Sequence, residues 1–438
     1  MNILSKLLTG MNSDALSLHS KMTFQPGQIL NGKVIKLFPN GIASLQVGSQ
    51  KMVAQLEASL DVKHRYWFQV QPGDGKVKLK VIGIVPESRF SQEDNSITGL
   101  MNKLSISTKD VKEETIRFFL KEQLPINQEM IHKSAELLKD VSSLQEGHEA
   151  IKLILQRQLS MTKETFHAIL SALDDKASIT HLMDGLSNSI EKGPLSVNTS
   201  RLLQVLQTLM SSEMNIDRTI AGESKHDKGQ LLNLTDLFKQ VIRTIGYSYE
   251  NSAIQYMEQH NREFDKDMVL KPLLIDFLKE NPQESAKMTA EKLLDKITGL
   301  QLLGQESGPI QQQVVQIPIN IQNKMVDLTI QWNGRRKANS NEIDPAFCRV
   351  LFYLELENLQ DTFVDMQVQN RIITITVMNE NQNLRMLAKP LMSNLKEHLD
   401  SMNYSLSNVY FTNLSSVQEK NSSTFLNISH YSGVDLRI

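Results

Sequence analysis

The chain has 438 residues, 40% of them apolar and 22% charged, with 47 lysines and arginines against 49 aspartates and glutamates. This length accommodates about three domains, and the balanced charge excludes both wholesale disorder and a strongly basic or acidic protein. The single cysteine, Cys348, excludes an internal disulfide and a secreted disulfide framework. Because no run of apolar residues is long enough to cross a bilayer, we predict no membrane insertion and a cytoplasmic location.

The first 23 residues carry apolar side chains at helical spacing, which predicts an amphipathic segment over 1–23. Two interpretations remain open for this segment. It is either a short helix docked on the body of the protein or an exposed segment that a partner or an export machine recognises. The apolar positions are Ile3, Leu4, Leu7, Leu8 and Met11.

Between residues 24 and 86 the apolar residues alternate with polar ones, and Gly, Pro and Asn interrupt the pattern. We predict strands over 28–38, 42–47, 51–56, 66–70 and 76–84. Short antiparallel strands within about sixty residues favour a small closed barrel of the OB or SH3-like kind, because closure removes exposed edges.

The predicted barrel is rich in lysine and contains a run of three aromatic residues. Lysines that follow phosphates and rings that stack on bases make a platform for single-stranded nucleic acid, so nucleic-acid binding is the alternative function. A solvated basic face is the commoner role of such lysines, and we rank nucleic acid below a protein partner. The candidate residues are Lys33, Lys36, Lys78 and Lys80, with Tyr66, Trp67 and Phe68 as the rings.

From 87 to 304 the apolar residues recur every three or four positions, which predicts an all-helical region. The expected helices cover 109–122, 128–140, 147–159, 163–173, 179–190, 198–212, 231–245, 267–279 and 282–303. They form either a bundle or a looser chain of helical hairpins, and the sequence leaves both open. The polar segment 213–229 is predicted to be a loop.

The sequence offers no catalytic or metal-binding motif. It contains neither a phosphate-binding loop nor a dinucleotide fingerprint, and its histidines never lie four residues apart as metal ligands on one helix do. Ser-x-x-Lys tetrads, among them Ser189 with Lys192 and Ser393 with Lys396, are as frequent as chance predicts. We therefore predict a protein that is not an enzyme and has no catalytic residue, metal or cofactor.

After a linker predicted at 305–313, alternation returns and predicts a domain over 314–414, followed by a tail over 415–438. We expect a hairpin around 322–324, strands over 347–357, 363–369 and 371–378, a helix, and a last strand through 406–411. Pro390 predicts a kink in the helix. The helical leucines are predicted to form one stripe, Leu384, Leu387, Leu391, Leu395, Leu399 and Met402.

A sheet covered by one helix is an α+β unit. The whole chain is therefore predicted to be an α+β multidomain protein, with a small amino-terminal β-barrel, an all-α middle and a carboxy-terminal α+β domain. The predicted core residues of the last domain are Phe352, Leu354, Ile373, Ile375, Leu384 and Leu395.

The residues from about 347 to 412 resemble the carboxy-terminal domain of the flagellar hook-length control protein family. In that family an apolar-Arg pair opens the helix, as Leu384 and Arg385 do here, and a glycine caps it where this chain has Asn403. Asparagine also tolerates the left-handed conformation of such a cap. The family's Leu-Gly pair between its first two strands is replaced by Leu359 and Gln360. The barrel segment GQILNGKVIKLFPNGIASLQV also looks like the small barrel that precedes such domains in some relatives.

The resemblance implies an adaptor without a catalytic step. In the family this domain contacts the autocleaving cytoplasmic domain of the export gate protein and switches the substrates that a type III secretion apparatus accepts. An export-gate-like cytoplasmic domain is therefore the implied partner, whereas the Pro-rich ruler of the best-known members is not expected in a chain with 12 prolines. Candidate contact residues are Gln360, Asp361, Asn383, Arg385, Lys389, Lys396 and Glu397.

Overall fold

In the computed structural model, the alternating residues after Pro26 form strands that close into a barrel. The order around the barrel is 1-2-3-5-4, with β3 and β5 parallel and β4 paired back to β1. This is the strand order of the OB fold, one of the two predicted barrel kinds. The strands are β1 (Ile29–Phe38), β2 (Ile42–Val47), β3 (Gln50–Leu56), β4 (Arg65–Gln71) and β5 (Lys78–Ile84).

The structure describes residues 26–47, 50–58, 60–73, 77–84, 101, 113–122, 124–174, 176–193, 196–211, 234–250, 253–254, 268–304, 310–321, 324–337 and 343–413. The predicted amphipathic segment 1–23, loop 213–229 and tail 415–438 lie outside them. Two compact units divide the chain, with described residues in 26–166 and in 167–413. The division falls inside the predicted helical region.

The first unit combines the barrel with helices whose apolar faces are buried. They are α1 (Glu113–Lys121), α2 (Gln128–Leu137), α3 (Leu144–Gln156) and the first part of α4 (Lys163–Leu173), which crosses the division. Asn127 caps α2 by accepting the Met130 amide at 2.8 Å. The segment before α2 adjoins the barrel, since the Ile126 amide donates to the Gly27 carbonyl at 3.1 Å.

The second unit contains further helices and one sheet. The helices are α5 (Ile179–Ile190), α6 (Val197–Leu209), α7 (Leu234–Ile245), α8 (Leu270–Lys279) and α9 (Glu284–Leu303). Serines open two of them, because Ser178 accepts the His181 amide at 3.0 Å and Ser196 accepts the Thr199 amide at 3.0 Å. The bounds of α4 and α5 are those predicted from apolar spacing.

The sheet has the order 6-7-8-9-10-11 and is antiparallel except between β10 and β11. A parallel neighbour requires a crossover, which two short helices provide. The elements are β6 (Ile310–Ile321), β7 (Lys324–Arg336), β8 (Ile343–Leu356), β9 (Gln360–Gln369), β10 (Ile372–Met378), α10 (Leu384–Ala388), α11 (Met392–Ser401) and β11 (Ser405–Thr412). The fold is thus α+β and multidomain, as predicted.

The largest differences between predicted and observed strand starts are at β6 and β8. β6 begins at Ile310, so residues 310–313 of the predicted linker belong to the sheet, and β8 begins at Ile343 rather than at 347. Gln311, Gln312 and Gln313 pair with β7 through their backbones. Backbone pairing does not require an apolar side chain, which explains why apolar alternation missed this part of the strand.

Candidate protein-docking surface

A buried amide joins the two groups of predicted contact residues. Asn379 follows β10 and is 4% exposed. Its Nδ2 donates to the Leu359 carbonyl at 2.6 Å, the Asp361 carbonyl at 3.0 Å and Thr362 Oγ1 at 2.9 Å. Its Oδ1 accepts the Asn381 amide at 2.8 Å. The β8–β9 turn is therefore fixed to the segment that leads into α10.

The β8–β9 turn contains Gln360 and Asp361. Gln360 has φ +54°, a left-handed conformation that favours glycine. Its Nε2 donates to the Glu357 carbonyl at 2.6 Å, and the residue is exposed. Asp361 was predicted to be exposed but is half-buried, because its Oδ1 accepts the Tyr353 hydroxyl at 2.8 Å.

The helical part carries the other predicted contact residues, and all of them are exposed. They are Asn383, Arg385, Lys389, Lys396 and Glu397. Pro390, where a kink was predicted, lies in a 3-10 turn, Lys389–Leu391, between α10 and α11.

The predicted single leucine stripe is wrong. Leu399 is buried, Leu384 and Leu395 are half-buried, and Leu387 and Leu391 are 57% and 64% exposed. The turn at Pro390 separates two short helices, so a stripe drawn through one continuous helix does not describe which residues face the sheet. Of the predicted core, Ile373 and Ile375 are buried, whereas Phe352 and Leu354 are half-buried.

The carboxy-terminal end of α11 is held against the sheet. Leu399 and Leu395 pack with Val368, Ile373 and Ile375. Asn403 has φ +60°, as predicted for a residue that replaces a capping glycine. The Tyr404 amide donates to the Leu399 carbonyl at 2.9 Å and the Asn403 amide to the Asp400 carbonyl at 3.0 Å, the two bonds of a Schellman motif.

We call Arg385, Met386, Leu387, Lys389 and Leu391 the α10 surface. Met386 is 68% exposed, so three large apolar side chains of this surface face away from the sheet. Arg385 and Lys389 are exposed as well. Residues 384–391 contain these two cations and no carboxylate. The sequence prediction missed the three apolar residues, although Pro390 was a signal that the stripe is interrupted.

The four candidate lysines of the barrel do not form one cluster. Lys78 and Lys80 are exposed neighbours on one side of β5, opposite Gln71 and Gln69 of β4. Lys33 is half-buried and lies opposite Arg65, four residues or about 13 Å along β4 from Gln69. Lys36 is exposed and lies over the Phe38 ring, 5.2 Å from its centroid.

The aromatic run of the barrel is divided between its two faces. Tyr66 and Phe68 are buried in the barrel core, and their ring centroids are 6.0 Å apart. Trp67, between them, is half-buried. A platform of three stacking rings is therefore not present, in agreement with the alternation of side chains along a strand.

The described residues contain no cluster of three His, Cys, Asp or Glu side chains able to hold a metal ion. In the same part of the chain no helix is both long enough and apolar enough to span a membrane. In the Ser-x-x-Lys tetrad at Ser189 the hydroxyl is engaged, since Oγ donates to the Gly185 carbonyl at 2.8 Å.

Comparison with known proteins finds a relative that matches part of the chain. Over 218 residues the chain is 28% identical to the uncharacterized protein YlqG of Bacillus subtilis (strain 168). The match covers 49% of this chain and 37% of YlqG, so the chain spans little more than a third of that relative. No family model matches the chain, and no solved structure matches it.

Proposed function

We propose that the chain is a non-enzymatic, cytoplasmic interaction protein. Its carboxy-terminal domain contacts an export-gate-like cytoplasmic domain and influences which substrates a type III export apparatus accepts. The observation that carries this proposal is the α10 surface, where Met386, Leu387 and Leu391 are exposed on a domain that keeps Leu399 and Ile373 buried. Contiguous exposed apolar side chains edged by charge are typical of protein interfaces.

The resemblance supports the choice of partner class. Leu384 and Arg385, which match the family's helix opening, begin α10, and Arg385 is part of the α10 surface. Asn403 adopts the left-handed cap conformation that the family obtains with glycine. The β8–β9 turn, which contains Gln360, is tied by Asn379 to the segment that leads into α10.

The test is calorimetric titration of the purified full chain with the export-gate cytoplasmic domain of the same host. We expect a saturable complex. The variant Lys78→Glu/Lys80→Glu, altered in the barrel, is the matched control and should bind with unchanged affinity. Absence of a complex between the two folded proteins would contradict the proposal. Loss of binding in the barrel variant would also contradict it.

A second candidate function, nucleic-acid binding, is favoured by the charge of the barrel strands. β1 to β5 contain no aspartate or glutamate, and their basic residues are Lys33, Lys36, Lys51, Arg65, Lys78 and Lys80. Binding through phosphates weakens steeply as salt increases. Neutralising Lys78 and Lys80 together should then flatten the salt dependence of single-stranded DNA binding more than neutralising Lys36 alone, and equal slopes would reject this candidate.

A further inference from the structure

The α10 surface combines apolar side chains with charge of a single sign. Leu387 and Leu391 are exposed, and so are Arg385 and Lys389. No carboxylate belongs to residues 384–391. Resting on the proposed function, we infer that the partner docks here through a protein segment that carries both apolar and carboxylate side chains.

Charge complementarity supports this occupant. Apolar contacts supply most of the affinity at a small interface, and opposite charges at its rim steer association and fix the register of the two chains. Arg385 and Lys389 are exposed, so they remain available to carboxylates. A basic segment would instead meet repulsion beside the leucines that it must contact.

A membrane surface fits the same residues less well. Membrane-binding helices present a long apolar face with cations along it. Here α10 has five residues and ends at the turn around Pro390. The following helix exposes Glu397 and Asp400, which repel anionic lipid headgroups.

A second copy of the chain is also disfavoured. In a two-fold symmetric dimer the same patch lies on both sides of the interface. Pairing two α10 surfaces would bring four cations into one interface, and residues 384–391 of neither copy supply a carboxylate to pair with them. Like charges in an interface oppose association.

The experiment compares substitutions at two equally exposed apolar residues. Leu387 is 57% exposed within the α10 surface, and Met402 is 56% exposed beyond the end of α11. With full-length protein we expect Leu387→Asp to weaken binding of the export-gate domain about tenfold or more, and Met402→Asp to change it less than about twofold. Circular dichroism establishes that both variants are folded.

A labelled peptide of leucine and glutamate, measured by fluorescence anisotropy, tests the chemistry separately. It should bind the full chain, and its analogue with lysine in place of glutamate should not. Arg385→Glu/Lys389→Glu should reverse this preference. An unchanged preference for the glutamate peptide in the double variant overturns the inference. An affinity of Leu387→Asp for the gate domain and for the glutamate peptide that equals the wild-type affinity also overturns it.

The outcomes separate the two proposals. Binding of the gate domain that is insensitive to Leu387→Asp rejects the docking inference and leaves the proposed function standing. Binding of the acidic peptide that depends on Leu387, without binding of the gate domain, rejects the proposed function and leaves the docking inference standing. Two further results also overturn the inference, namely Leu387-dependent binding to vesicles of phosphatidylcholine and phosphatidylserine, and a dimer in sedimentation that Leu387→Asp abolishes.

Discussion

The carboxylate of Asp327 on β7 accepts the backbone amide of Ile179, 148 residues earlier in the chain, at 2.7 Å. It also accepts the Thr180 amide at 3.1 Å and the Thr180 hydroxyl. These amides belong to the first turn of α5, where no intrahelical acceptor exists. A side chain of the sheet thus caps a helix of the same unit and fixes the position of the helix on the sheet.

Removal of this cap should destabilise the second unit. Asp327→Ala leaves the α5 amides without their acceptor, and we expect a loss of about 2 to 3 kcal/mol in the free energy of unfolding. Asp327→Asn keeps one acceptor oxygen and should lose less. Urea denaturation followed by Trp332 fluorescence in a Trp67→Phe background reports on this unit. The exposed Asp184 on α5 provides the control, and an Asp327→Ala midpoint equal to that of Asp184→Ala would contradict the interpretation.

Substitution by alanine should change the stability of the unit in opposite directions at two glycines on neighbouring helices. A Cβ at Gly299 on α9 would overlap the Ala168 carbonyl group and lie 2.8 Å from Ala172 Cβ, so Gly299→Ala should cost about 3 kcal/mol. A Cβ at Gly185 on α5 would lie 3.8 Å from its nearest neighbour, Thr289 Cγ2.

At Gly185 the helix propensity of alanine therefore decides the outcome, and Gly185→Ala should stabilise the unit by about 0.5 to 1 kcal/mol. Thermal unfolding of both variants beside the wild type measures the two effects. Similar shifts of the same sign at Gly299 and Gly185 would show that the close approach of α9 to Ala168 does not matter for stability.

The sequence predicted best where apolar spacing alone determines an element. The bounds of β2, α4 and α5 agree with the predicted ones, because each combines regular apolar spacing with adjacent turn or capping residues. The strand part of the carboxy-terminal core was also predicted correctly at Ile373 and Ile375. The start of β6 was not, since its glutamines are in the sheet through backbone pairing with β7.

The candidate site was predictable only in part. Exposed charged residues such as Arg385 and Lys389 follow from the polar side of a helix, whereas the exposure of Leu387 and Leu391 depends on how two short helices sit on the sheet. The caps formed by Asp327 and Asn379 connect residues that are distant in sequence or that lie in loops. Such contacts have no local pattern from which to infer them.

The left-handed cap of α11 should distinguish glycine, asparagine and alanine. A non-glycine residue at φ +60° is strained, and asparagine tolerates this conformation better than alanine. Asn403→Ala should lower the free energy of unfolding by about 1 kcal/mol, and Asn403→Gly should raise it by a few tenths of a kcal/mol. Urea denaturation followed by Trp332 fluorescence ranks the three proteins. Equal stability of the alanine and glycine variants would exclude a contribution from the left-handed conformation.

Asp295 on α9 should make stability depend on pH. Burial, with a smaller contribution from the carboxylate of Glu291, raises the pKa of Asp295 to about 6. In the unfolded chain the aspartate pKa is about 3.9. The folded state therefore holds the proton more tightly, so this group favours folding below about pH 4 and the advantage disappears as the pH rises through about 6.

Asp295→Asn should remove this slope and, at neutral pH, should be more stable than the wild type by roughly 1 kcal/mol once the partial exposure of the side chain is taken into account. Glu291→Gln should keep most of the slope, because burial is the larger cause of the raised pKa. Urea denaturation of the three proteins between about pH 4 and 7 measures these slopes. A profile of Asp295→Asn that runs parallel to that of the wild type would show that Asp295 does not hold its proton in the folded protein.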